Sequence, residues 1–427
     1  MRSVASGGGC VHHGNGLLGA AAIDRAEARK VGLLKARGFN AIRTSHNPPS
    51  PAFLDACDRL GMWVIEEAFD CWRQGKNQDD YSLYFDGWWR DDLAAMARRD
   101  GNHPSVIMWS IGNETPEVYK LEAVAIAPIL SEEMRRLDPA RPITEAINGP
   151  TGPDMPGPSG KPDSAATQIL DVADYNYALG GYECDHGRFP DRVMIGIESF
   201  PKEVDTIWRL TEQRPYRVGD FVWAAIDYLG EAVVGKSWLT PDKFTYLSDY
   251  PWFNAFCGDL DLIGPRKPPL LLRDVAWGMS PLEMAVQRPL PEDRVEQPSP
   301  WESWDELQNW NWPEADGKSL NVQIYTRADR VELELNGRKI AEKTLTEADK
   351  STASFAVDYA PGRLPAGRGE LPPAGRQDLA RPGASDRPPD RTGRRGRHRG
   401  PIQGPKGRQA ADRSRTSDSN SKLMRVA

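Results

Sequence analysis

Two short apolar runs in this 427-residue chain end in a glutamate. A pair of carboxylates is what cleavage of a glycosidic bond requires. The first run spans Asn102 to Gly112 (NHPSVIMWSIG) and closes on Asn113-Glu114. The second, Val193-Met194-Ile195-Gly196-Ile197, closes on Glu198. One carboxyl with a raised pKa protonates the leaving oxygen while the other attacks the anomeric carbon, and retaining enzymes hold the two about 5 Å apart. A lone glutamate at a strand end is more often half of a structural ion pair, but two at one mouth favour chemistry. Metal chemistry finds less support. His12 and His13 are adjacent, so on a strand they face opposite sides and cannot share one ion without distortion. One of the two, His13, is expected to line a sugar pocket instead. Cys10, Cys57, Cys71, Cys184 and Cys257 make neither a CxxC pair nor a disulfide framework. They read as free thiols in a reducing compartment, which gives a cytoplasmic expectation.

The elements that must position these residues are legible as strand, turn and helix in repetition. Strands are expected at Gly9–His12, Phe39–His46, Trp63–Phe69, Val106–Glu114, Pro142–Asn148, Val172–Tyr177, Val193–Phe200 and Phe221–Tyr228. Their apolar, β-branched runs suit strands covered on both faces. A first helix is expected to open at Asp24 with Glu27 as a capping box. A second opens Ser50-Pro51, sets Phe53, Leu54, Cys57 and Leu60 on one face, and stops at Gly61. Eight strands alternating with helices predict an α/β fold, a (β/α)8 TIM barrel over residues 1–286 whose polar strand ends face the active site. Residues 287–317 read as a linker. Asn321–Thr326, Arg330–Leu335 and Ser354–Tyr359 alternate as half-buried strands, and Asn336-Gly337 is a hairpin turn. Residues 318–361 are therefore expected to form a partial, immunoglobulin-like β-sandwich.

All 14 tryptophans lie between Trp63 and Trp312. Such concentration suits a sugar cleft, because indole faces stack on pyranose rings, although core packing claims about half of them. No apolar run is long enough to cross a membrane, and the N-terminus has no signal-peptide core. The net charge of −7 hides two unlike regions. Residues 362–427 carry sixteen Lys/Arg against six Asp/Glu, no aromatic residue, and eighteen Gly or Pro. Such a tail cannot bury enough surface to offset chain entropy, so a disordered basic segment is expected, with the signature of a reading-frame accident. No aromatic or folding motif accompanies its charge, so nucleic-acid binding is not expected.

Several segments in order carry a specific likeness. Gly38–Asp70 (GFNAIRTSHNPPSPAFLDACDRLGMWVIEEAFD), NHPSVIMWSIGNE, IGIESF, GDFVWAAIDYLGE and YPWFNAFCGDLDLIGPRKP together resemble the family-two glycoside hydrolases, the β-galactosidase group. The resemblance runs from about Gly9 to Pro361. It implies that Glu114 is the acid/base, Glu198 the nucleophile and Asn113 the partner of the sugar 2-hydroxyl. It implies that Arg43 and His46 orient nucleophile and sugar, that Tyr177 donates to Glu198, and that Trp223 forms the sugar platform. Arg43 has a second reading, an internal ion pair with Glu67, and both can hold. Tyr175 and Trp109 read as core. Some members of the family hold magnesium through Glu-x-His after the third strand; Phe69-Asp70-Cys71-Trp72-Arg73 stands there, so no metal and no cofactor are expected. Where the family reads His-His-Asp-Asn, this chain has His13-Gly14-Asn15. The family's jelly-roll and immunoglobulin-like domains precede the barrel, and here the first strand starts near Met1. Both are expected to be absent, leaving apolar barrel surface that favours self-association into a homo-oligomer. The expected substrate is a β-linked glycoside. The alternatives are a β-glucuronidase, whose Asn-x-Lys motif is missing, and a sugar-binding pseudoenzyme or gene fragment.

Overall fold

Eight parallel strands close into a barrel in chain order: β1 (Ser6–Val11), β2 (Ala41–Thr44), β3 (Trp63–Glu67), β4 (Val106–Asn113), β5 (Ile143–Asn148), β6 (Ala173–Asn176), β7 (Met194–Ser199) and β8 (Arg217–Val222). β8 pairs back onto β1 and leaves no open edge. This is a computed structural model, which describes residues 6–117, 121–148, 169–242, 245–301, 305–368 and 377–379. Two strands depart from the pattern in the sequence, each for a physical reason. β1 begins at Ser6 through a glycine run of low strand propensity, because a Cβ on Gly8 would stand 2.4 Å from the Phe221 ring. β8 lies before the expected Phe221–Tyr228, since its first half is polar: Arg217 and Asp220 form a buried ion pair at 2.8 Å. Past Val222 the apolar run continues as irregular backbone over the barrel mouth.

The helices form the outer layer. α1 (Asp24–Lys35) starts at the expected residue, yet its N-cap is Ile23 and no side chain caps it. Glu27 instead accepts from the Asn15 amide at 2.8 Å and pairs with Lys30, so the expected capping box does not form. In α2 (Pro51–Leu60) the Ser50 hydroxyl accepts from the Phe53 N–H at 3.2 Å, and Gly61 closes the helix at φ 65°. Phe53, Leu54 and Cys57 are buried as expected, whereas Leu60 is exposed.

Beyond the barrel the sandwich is larger than expected. One sheet runs Glu306–Leu307, Glu283–Gln287, Ser319–Tyr325, Thr352–Asp358; the other runs Arg338–Thr344, Arg330–Leu335, Leu364–Arg368, Gln377–Leu379. Met284, Val286, Val322, Ile324, Val331, Leu333 and Leu364 pack between the sheets with Trp310 and Trp312. The domain therefore begins at about residue 283 rather than 318 and takes two of its strands from beyond residue 361. The remainder of the expected disordered tail lies outside the described residues. Asn336 and Gly337 both take positive φ, 51° and 80°, as the hairpin reading requires. The sandwich is fixed to the barrel by polar links: Asp205 accepts from the Ser351 hydroxyl at 2.6 Å, and Arg327 pairs with Glu212 at 2.8 Å. Residues 287–317, expected to be a plain linker, hold two short strands and bring Trp301 to the barrel mouth.

Candidate active site

Arg43 organises the C-terminal mouth of the barrel from the end of β2. Its side chain is fully buried, and its fork spans two carboxylates. Nη1 donates to Glu198 Oε1 at 2.7 Å, while Nη2 donates to Glu67 Oε2 at 2.7 Å and Nε to the same oxygen at 3.1 Å. Nη2 also reaches Asn113 Oδ1 at 2.8 Å. Both readings of Arg43 therefore hold: it is an internal ion pair and a direct contact of Glu198. A buried guanidinium is tolerated only when its charge and its donors are met, and here two carboxylates meet them. Glu67 is further fixed by the Ser110 hydroxyl at 2.9 Å and by His46 Nδ1 at 2.7 Å.

Glu198 and Glu114 differ in their settings. Glu198 is buried, accepts from Arg43, and has the Tyr177 hydroxyl as a neighbour. Burial pushes its carboxyl up to about 8, and the charge on Glu114 adds to that rise, while the charge on Arg43 and hydrogen bonds from Arg43 and Tyr177 oppose it. Glu114 is half-buried and accepts from the Asn176 amide at 2.8 Å. Its backbone is left-handed at φ 43°, as is that of Tyr177 at φ 52°, a cost of about 1 kcal/mol or more at each site. The negative charge of Glu114 is thus one of the influences that disfavour ionised Glu198, second to burial.

The walls are aromatic and polar. His46 stacks on Trp223 with rings parallel to 4° and centroids 5.0 Å apart. Burial and the neighbouring Arg43 hold His46 well below its usual pKa. A neutral ring with its Nδ1–H on Glu67 fits this network. The Trp223 indole N–H donates to the Tyr228 hydroxyl at 3.1 Å, and Tyr228 in turn donates to Glu231. Asn113 donates one N–H to Asp70 at 3.1 Å, and Asp70 pairs with Lys76 at 2.7 Å. The Lys76 loop is pinned by Asp80, which accepts from the backbone N–H groups of Lys76 and Asn77 at 2.6 and 2.8 Å.

Comparison with known proteins places this barrel. The glycosyl hydrolases family 2 TIM barrel domain matches residues 11–155, and a domain of unknown function matches residues 317–367. A solved family 2 glycosyl hydrolase from Bacteroides cellulosilyticus is 42% identical, superposes with a TM-score of 0.79, and aligns over 88% of this chain and 48% of its own. The chain belongs to glycosyl hydrolase family 2. A β-galactosidase of Bacteroides ovatus is 29% identical over 84% of this chain and 46% of its own length. A putative β-glucuronidase of Formosa agariphila is 27% identical over 84% of this chain and 35% of its own. This family 2 chain thus spans less than half the length of these curated relatives.

Within this family 2 barrel, Glu114, Glu198, Arg43, His46, Asn113, Tyr177 and Trp223 come together as expected. Tyr175 and Trp109 are core, with their polar atoms on Asp185 and Asp138. His13 is the exception. Its side chain is exposed, and its carbonyl accepts from Lys30 at 3.2 Å. Strand alternation turns His12 inward instead, stacked on Tyr228 at 3.9 Å and edge-on to Trp223. The sequence reading also missed Asp70, Lys76, Asn176, Glu231 and Trp301. Asn176 was the most accessible of these, since it immediately precedes Tyr177 at the same strand end.

Proposed function

We propose that this chain is the catalytic part of a retaining β-glycosidase acting on a neutral terminal sugar, with β-galactosides the preferred class. The reading rests on one observation above the rest: a buried guanidinium grips Glu198, while Glu114 faces it with a neutral amide and partial access to solvent. In this mechanism Glu198 is the group held for attack and Glu114 the group able to exchange a proton. Glu114 gives its proton to the leaving oxygen as Glu198 bonds to the anomeric carbon, which releases the aglycone. Glu114, now ionised, takes a proton from water, and that water displaces Glu198 from the sugar with a second inversion. The charge at position 114 bears directly on Glu198, so a neutral group there favours the ionised nucleophile. In this reading the second N–H of the Asn113 amide meets a sugar hydroxyl, and Trp223 with His46 takes the ring face.

The pH profile carries a signed test of that coupling. With an activated aryl glycoside, which needs no proton donor, Glu114→Gln removes the like charge and lowers the pKa of Glu198. The acid limb of kcat/KM is expected to move about one unit toward lower pH. A limb that stays in place, or moves upward, contradicts the pairing.

Charge favours a neutral sugar over a uronic acid. Glu67, Asp70, Glu114, Glu198 and Glu231 cluster around the mouth, and Arg43 and Lys76 are already paired with members of that set. A uronate carboxylate would add a further negative charge to this cluster. The expected result is a kcat/KM for an aryl β-galactoside at least about tenfold above that for the matching β-glucuronide. The reverse order would favour the glucuronidase reading, with Lys76 released from Asp70 to meet the substrate carboxylate. Binding of both without turnover would make the chain a sugar-binding protein.

A further inference from the structure

Trp301 lies outside the barrel, on the segment between the short strands Glu296–Gln297 and Glu306–Leu307, yet its indole reaches the catalytic mouth. Its Nε1–H donates to the Tyr177 hydroxyl at 2.9 Å. The ring is held edge-on to Tyr177, edge-on to Phe200 at 5.5 Å and edge-on to Tyr246 at 6.1 Å, so its direction is fixed by three aromatic neighbours. Tyr177 is constrained as well. Its backbone N–H donates to the Glu198 carbonyl at 2.8 Å, and its ring packs on Phe200 at 4.5 Å.

The consequence follows from counting protons. A tyrosine hydroxyl has one proton and can either donate to or accept from a given neighbour. An indole N–H can only donate. With the indole occupying an acceptor position on Tyr177, the single phenolic proton is left free for the neighbouring Glu198 carboxylate. A donor feeding a donor also polarises the chain, so the bond to the carboxylate is stronger than an isolated tyrosine would make. We infer that Trp301 is a positioning residue, supplied from outside the barrel by the segment before Glu306–Leu307, which orients the Tyr177 hydroxyl so that it donates to the nucleophile Glu198. Its role is indirect, through one hydrogen bond to Tyr177.

The groups that face Glu198 define what else can move its titration. They are the Cys10 thiol from β1, Arg43 from β2, Glu114 at the end of β4 and Tyr177 after β6. Trp301 carries no charge, so its removal can act on Glu198 only through the orientation of Tyr177 or through altered packing. Those two routes are separable.

The test is a double-mutant cycle in the full chain, read by the carboxyl titration of Glu198 in protein labelled with 13C at glutamate side-chain carboxyls. Glu198→Gln identifies the signal. This readout needs no turnover, so it is independent of the glycosidase reading on which the word nucleophile rests. An absence of wild-type activity would sink that reading and leave this measurement standing. Trp301→Phe is expected to raise the Glu198 pKa by about half a unit to one unit, because the ionised carboxylate loses a directed donor. A benzothienyl alanine at position 301 keeps the shape, removes only the N–H, and is expected to give the same shift, which covers the case in which phenylalanine disturbs the fold. In a Tyr177→Phe background neither change at 301 is expected to shift Glu198 further. Where turnover is measured, the acid limb moves up by the same amount. An unchanged Glu198 titration in both position-301 variants, or an equal shift with Tyr177 already removed, overturns the inference.

Discussion

Glu198→Gln is expected to lower turnover by about 10⁴-fold or more while leaving the melting temperature close to that of the unaltered chain. An amide cannot form the bond to the anomeric carbon, so the loss falls on the chemical step. The fold is spared for a specific reason. Removing one member of a buried ion pair normally leaves an uncompensated charge and a cost of about 3–5 kcal/mol. Arg43, however, keeps Glu67, which accepts from its Nε and Nη2, and glutamine's carbonyl oxygen can still accept from Nη1. Steady-state kinetics with an aryl β-galactoside and a thermal melt decide the matter together. Near-normal hydrolysis removes Glu198 from the nucleophile role, and a collapse in melting temperature would show that Glu67 alone cannot hold Arg43.

Glu114→Ala is expected to separate substrates by leaving group. Phenyl or alkyl glycosides need a proton on the departing oxygen and should lose about 10²–10⁴-fold in kcat/KM. Dinitrophenolate leaves as a stable anion without a proton, so its glycosides should lose far less in that first step. Equal losses across the series would mean that Glu114 supports the site without donating a proton. Asn176, left without its carboxylate acceptor, is the neighbour whose rearrangement a structure of the variant should show.

What was legible in advance follows from how each feature is encoded. Strands buried on both faces announce themselves as apolar runs, which is why β3, β4, β5 and β7 fall where the sequence puts them. β1 and the first half of β8 were obscured, one by glycines that make room for Phe221, the other by the buried pair Arg217 and Asp220. The two glutamates could be read because each ends such a run. His13 was misassigned because choosing between adjacent residues on a strand needs the register, and a one-residue shift exchanges the faces. The Asp70–Lys76 pair and Trp301 depend on loops folding back across the mouth, and local pattern carries no record of those contacts. The sandwich was underestimated for a similar reason. Leu364–Arg368 is proline- and glycine-bearing, and its strand is selected by pairing with Arg330–Leu335 rather than by its own composition.

The central claim is that Glu198 becomes covalently bonded to the sugar during turnover, and trapping that bond tests it most directly. A 2-deoxy-2-fluoro-β-galactoside with a dinitrophenyl leaving group reacts in the first step because the aglycone departs readily. It stalls in the second because the fluorine disfavours the positively charged transition state. Intact-protein mass spectrometry should show one added fluorosugar, and peptide mapping should place it on Glu198. No adduct, or an adduct on any other residue, would contradict the account.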